Sequence, residues 1–120
     1  MKKTVFATLA AVATLFASTS AMAMTPKTVN YTCQGGKNIN VTYTFNKQNL
    51  PTKATAKLNG ATRTMKTNLA QSDLTGTTFG KAGSYMIDTD YVDATTYNQV
   101  ILGTVTAPNN KIIYKECRPN

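Results

Sequence analysis

From Thr28 onward, apolar and polar residues alternate in short runs, and no window of adequate length repeats at helical spacing. Val29, Tyr31 and Cys33 share one face of the first run, and Gln34–Lys37 reads as a turn. The run 38–45 is the cleanest, with Ile39, Val41, Tyr43 and Phe45 facing in and Asn40, Thr42 and Thr44 facing out. Residues 46–52, containing Pro51, form a connection. Lys53–Leu58 and Ala61–Met65 then flank Asn59-Gly60, a pair that accepts positive φ at both turn positions and so marks a tight hairpin. This pattern sets Ala54, Ala56 and Leu58 inward, across from Ala61 and Met65. Arg63 falls on the same inward face, so either it lies near an open end or a bulge shifts the register.

The second half is less regular. Residues 68–76 form an irregular link carrying Leu69 and Leu74, 84–88 a strand, and 88–94 a loop. A strand over 97–105 packs Val100, Leu102 and Val105 or Ala107 inward. Pro108-Asn109-Asn110 turns the chain into a last strand, Lys111–Cys117. Seven or eight short antiparallel strands in about one hundred residues predict an all-β fold, either a small barrel or a sandwich. High threonine and few large aliphatic side chains favour the closed barrel, which removes exposed edges.

Composition changes the picture at the N-terminus. Lys2-Lys3, a short apolar or small run over 5–17, and Ala21-Met22-Ala23 make residues 1–23 a cleaved secretory signal peptide. The exported domain is expected over 24–120, in the periplasm and/or at the outer-membrane-associated cell surface, with no remaining stretch able to cross a membrane as a helix. Cys33 and Cys117 are the two cysteines of the chain, and in an oxidising compartment they pair as a disulfide joining the first and last strands. The whole chain carries a net charge of +8, with its cations scattered singly along the strands. Nucleic-acid binders cluster such charge on one face, so a solvated surface is the expected reading.

One loop stands out. In Thr77–Tyr85 a lone cation, Lys81, sits between Gly80 and Gly83, followed by Ser84 and Tyr85. The plain reading is a glycine-rich hairpin connection. The functional reading is a short polar finger, Gly80-Lys81-Ala82-Gly83-Ser84-Tyr85, that enters another molecule's cleft.

Catalytic chemistry finds little support. The chain has no histidine and five acids, so it offers no Ser-His or Cys-His nucleophile and little room for a substrate cleft. No enzyme activity and no cofactor are expected. Asp88, Asp90 and Asp93 hint at calcium but lack regular ligand spacing and a closing glutamate, and read as a solvated acidic loop; no metal is expected. Asn30-Tyr31-Thr32 and Asn40-Val41-Thr42 match the glycosylation pattern by chance.

Several segments recur in one order: Tyr31–Lys37, Val41–Gln48, Leu58-Asn59-Gly60, Phe79-Gly80-Lys81 to Tyr85, and Thr106–Asn110 before the closing cysteine strand. In that order the chain resembles the adhesin complex proteins of Gram-negative mucosal bacteria, a family related to the membrane-bound and periplasmic inhibitors of c-type lysozyme. The resemblance runs from about Tyr31 to Arg118. It implies an eight-stranded antiparallel barrel with one disulfide, and a partner, host c-type lysozyme, whose cleft a loop occupies. In the inhibitors that loop carries a Ser-Gly-x-x-Tyr type segment. Here Tyr85 matches, with Gly83 and Ser84 beside it and Gly80-Lys81 before. A second inhibitor loop carries a Thr-Lys-Gly type segment; it is not present as such, and Thr95–Gln99 falls in its place, making Tyr97 and Asn98 candidate contacts. The rival function is adhesion, with the host cell surface or its glycans as partner. A carrier of small ligands inside the barrel is the weakest reading, because few inward residues are small.

Overall fold

A computed structural model describes residues 25–120; the leader expected over 1–23 lies outside the described residues. Eight antiparallel strands follow one another: β1 (Lys27–Thr32), β2 (Asn38–Phe45), β3 (Pro51–Leu58), β4 (Ala61–Lys66), β5 (Gly76–Gly80), β6 (Met86–Asp90), β7 (Leu102–Thr106) and β8 (Ile112–Pro119). They lie in the order β4-β3-β2-β1-β8-β7-β6-β5, an up-and-down sheet rolled into a nearly closed barrel. Each consecutive pair is joined by a ladder. β4 and β5, which end the order, meet at a single bridge, Thr67 to Phe79.

The alternation predicts the core closely. Val29, Tyr31, Ile39, Val41, Tyr43, Phe45, Ala54, Ala56, Leu58 and Met65 are buried, as are Val100, Leu102, Val105 and Ala107. Ala61 departs from expectation: it sits at the hairpin mouth, beyond the core, and is exposed. Pro51 belongs to β3 rather than to the connection; as the first residue of its strand it tolerates the missing N–H.

Three boundaries move in the second half. Thr77, Thr78 and Phe79 are all buried and form β5, so the projecting loop is shorter than the run 77–85. β6 extends through Asp88–Asp90, where Thr78 Oγ1 donates to Asp88 Oδ1 at 2.6 Å and Thr104 Oγ1 to Oδ2 at 3.3 Å. The strand expected over 97–105 begins only at Leu102. Before it, Asp93 accepts from the backbone N–H groups of Thr95 and Thr96 and from both their hydroxyls. These local bonds compete with strand pairing and wind 93–99 into turns. Led by the Thr95 hydroxyl, they hold the Asp93 carboxyl below its ordinary range.

Cys33 and Cys117 form the disulfide. β1 and β8 pair over only two rungs, Tyr31 to Pro119 and Thr32 to Arg118, and the disulfide lies one step beyond them. It therefore reinforces a short ladder, across a sequence separation of 84 residues. By chain entropy a loop of that length contributes about 4–5 kcal/mol. Breaking the bond by Cys33→Ser with Cys117→Ser is expected to remove most of that, read as a lower urea midpoint with a slope no shallower, since the unlinked unfolded chain exposes more surface. A midpoint that does not move would contradict this account.

In the barrel interior the Tyr31 and Tyr43 hydroxyls share a hydrogen bond of 2.7 Å. Burial pushes the Tyr31 phenol up to about 12, against the pull of its bond to Tyr43, and burial likewise raises Tyr43. In the unfolded chain both ionise near pH ~10, so alkali deprotonates the unfolded state first. Stability is expected to hold below about pH 10 and to fall as the pH climbs towards 12. In denaturant titrations across that window, the double variant Tyr31→Phe/Tyr43→Phe is expected to fall less steeply than the wild type; parallel curves would contradict the assignment.

Candidate functional site

The strand directions sort the connections into two groups. The loops after β1, β3, β5 and β7 gather at one end of the barrel, and those after β2, β4 and β6 at the other. The candidate loop 81–85 follows β5 and so lies beside the Asn59-Gly60 turn after β3.

Gly80 ends β5 with φ +86°, bending the chain off the barrel edge. Its missing side chain is essential, because a Cβ there would meet the Tyr85 backbone carbonyl. Lys81, Ala82 and Gly83 are exposed, and Gly83 also has positive φ (+88°), in open space. The turn is closed from within: Ser84 N donates to Lys81 O at 3.0 Å, and Ser84 Oγ donates to the same carbonyl at 2.8 Å. Ser84 thus spends its proton on the loop's own shape and leaves its oxygen as an acceptor.

Tyr85 ties the loop to the opposite edge of the barrel. Its hydroxyl accepts from Asn59 Nδ2 at 2.8 Å, and the Arg63 guanidinium carbon lies 4.2 Å from its ring centroid. Arg63 is held in place by Nε donating to Leu58 O at 2.9 Å. The β3–β4 register is unbroken, so the inward-facing arginine is explained by its place at the open end and not by a bulge. Below it, Asn68 Nδ2 donates to Gly80 O at 3.0 Å, adding another link across the same seam. Asn59, Arg63 and Asn68 therefore shape the site although none stood among the candidate contacts. The one signal pointing to them was Arg63 on an apolar face.

Tyr97 and Asn98 belong to the connection after β6 and lie at the other end of the barrel. Half-buried Tyr97 packs against Phe45, with ring centroids 6.1 Å apart, and Ala94 N donates to Asn49 O at 2.9 Å, joining this connection to the one after β2. Asn98 is exposed. The structure brings Gly80 through Tyr85 together and leaves Tyr97 and Asn98 apart from them. The acids weighed for calcium turn to separate partners: Asp88 to Thr78 and Thr104, Asp93 to Thr95 and Thr96. Among the described residues no cluster of three acidic or cysteine side chains comes together.

The ACP-like domain family, Nm-ACP, matches residues 27–119, from the first residue of β1 into the end of β8. The chain belongs to this family. A solved structure, the Adhesin Complex Protein from Neisseria meningitidis, is similar to it at 44% sequence identity and a TM-score of 0.74, with 79% of this chain and 100% of that chain covered. Among curated proteins no match is found.

The two loop glycines separate strain from crowding. Both Gly80→Ala and Gly83→Ala force an L side chain into positive φ, at about 1–2 kcal/mol each. Only Gly80→Ala also drives a Cβ into the Tyr85 carbonyl. Gly80→Ala is expected to lower the denaturation midpoint clearly more than Gly83→Ala; equal losses would show that the loop is not clamped at its base.

Proposed function

We propose that this protein is an exported inhibitor of c-type lysozyme that blocks the enzyme's cleft with the 81–85 loop and performs no chemistry of its own. The observation that carries the reading is a single exposed cation on a turn held stiff from both sides. Lys81 is exposed on the loop that follows β5, while Ser84 closes the turn and Tyr85 anchors it to Asn59 and Arg63. A loop already ordered loses little freedom on binding, so more of its contact energy appears as affinity.

A lysozyme cleft presents one ionised carboxylate and one protonated carboxylic acid. Lys81 suits the first as a charge-assisted donor. The Ser84 oxygen, with its own proton committed to the Lys81 carbonyl, suits the second as an acceptor. Tyr97 and Asn98, at the far end, would contact the enzyme only through a second surface.

The likeness to an adhesin complex protein favours a second reading, attachment to a host cell surface. Eleven cations against five acids over residues 25–120 would support it through anionic glycans. That attachment would weaken with salt and survive replacement of the loop.

The test is lysis of a sensitive cell-wall suspension by human or hen lysozyme with the protein added in molar steps. Wild type is expected to abolish lysis stoichiometrically, and Lys81→Ala to weaken inhibition by roughly 10- to 100-fold while the fold is intact, as loss of a charged hydrogen bond implies. Ser84→Ala is expected to weaken it less. Full lysis at large excess of wild type, or inhibition unchanged in both variants, would overturn the proposal.

A further inference from the structure

The β4 edge holds a feature that loop insertion does not use. Thr67 N donates to Thr52 O at 3.0 Å, which fixes the phase of the hairpin: odd-numbered residues of β4 turn their backbone groups towards β3. The even positions turn the other way, as Asn68 confirms by donating its N–H to Thr78 O of β5 at 2.7 Å. Thr62, Thr64 and Lys66 therefore direct their N–H groups away from the sheet. β5 meets only the last of them, because the Thr67–Phe79 bridge sets Gly80 opposite Lys66. Its bridge to the β4 side is at Thr67, and at Gly80 it bends off into the 81–85 loop.

In the space so opened lies a groove of about 760 Å³. Its apolar surface comes from Met65, Leu69 and the Tyr85 ring, and Leu69 is 82% exposed with no core of its own to join. Its charge comes from Arg63, Lys66 and Lys81, and no acid is among its lining residues. A strand edge, an apolar floor and cations without counter-charges occur together here.

We propose that this groove takes an extended acidic polypeptide segment, added as a further strand along β4. Main-chain bonds to Thr62 and Thr64 would hold the backbone. Alternate side chains would fall on Leu69 and Tyr85 or reach the cations. At about 3.3 Å per residue, the edge from Ala61 to Met65 accommodates a segment of roughly five residues. A second copy of this chain is disfavoured as occupant, because an edge lined by cations would face a chain with a net positive charge. The site shares Lys81 and Tyr85 with the proposed lysozyme-binding loop but does not rest on that reading.

The probe is a fluorescein-labelled acetyl-VEVEVE-amide, followed by anisotropy and by amide hydrogen exchange of the full exported chain. Saturable binding is expected, with the Thr62 and Thr64 amides becoming protected. Methylating alternate peptide nitrogens on the pairing edge keeps every charge but removes donors, and is expected to weaken binding at least tenfold. The lysine counterpart VKVKVK is expected not to bind. Thr64→Pro deletes one outward N–H while sparing the β3 ladder and is expected to act like the methylated peptide; should it fail to fold, the methylated peptide and Lys66→Glu carry the same comparison. Equal binding of the methylated peptide, competition by an anionic oligosaccharide with no amide protection, or no binding of VEVEVE would each overturn the proposal. Lysozyme inhibition is expected to survive Thr64→Pro, so failure here is distinguishable from failure of the inhibitor reading.

Discussion

An eight-stranded sheet that rolls up must join its two outer edges, and here that junction is thin. β4 and β5 share one bridge, and side chains complete the closure: Asn68 onto Gly80, Asn59 onto the Tyr85 hydroxyl, Arg63 over the Tyr85 ring. Tyr85 meets two of these groups and is also the last residue of the projecting loop. Tyr85 thus links closure of the barrel to the base of the loop. The disulfide works elsewhere, at the two-rung ladder between β1 and β8, where the chain ends meet. The expectation that it joins the first and last strands is met, but the open seam lies between the fourth and fifth.

This division bears on where the proposed binding surfaces lie. A strand edge left without a full partner is ordinarily an aggregation hazard, managed by charge and by cover. Here Lys66 and Arg63 supply charge, and the 81–85 loop folds past the exposed part of β4. The same devices leave an exposed lysine on the loop and a cationic groove beside it, the two features on which the proposed binding roles rest. At the opposite end, the Asp93 turns and the Tyr97–Phe45 contact stiffen the connection after β6 and cap the core.

Much of the fold was legible because a period of two is hard to mistake when one face is buried. Ile39, Val41, Tyr43 and Phe45 announce β2, and Asn59-Gly60 announces the β3–β4 hairpin. Thr77-Thr78-Phe79 was not legible as strand because all three are buried, so alternation vanishes. The run 97–101 misled in the opposite direction: its composition suits a strand, but the Asp93 side chain organises the residues before it into turns. The loop 80–85 was visible from its glycines and lysine. Its supports were not, since Asn59 and Arg63 become neighbours of Tyr85 only once the barrel closes. The separation of Tyr97 and Asn98 from that loop follows from counting, because successive connections of an up-and-down barrel fall at alternate ends.

The central claim is that Tyr85 makes the 81–85 loop a rigid extension of the barrel. Backbone ¹⁵N relaxation tests it most directly. The account predicts order parameters for Lys81 to Ser84 of about 0.8, close to those of β5 and β6, and a sharp drop in Tyr85→Ala. Values below about 0.6 in the wild type would contradict it, showing a loop that moves freely on a barrel that closes without it.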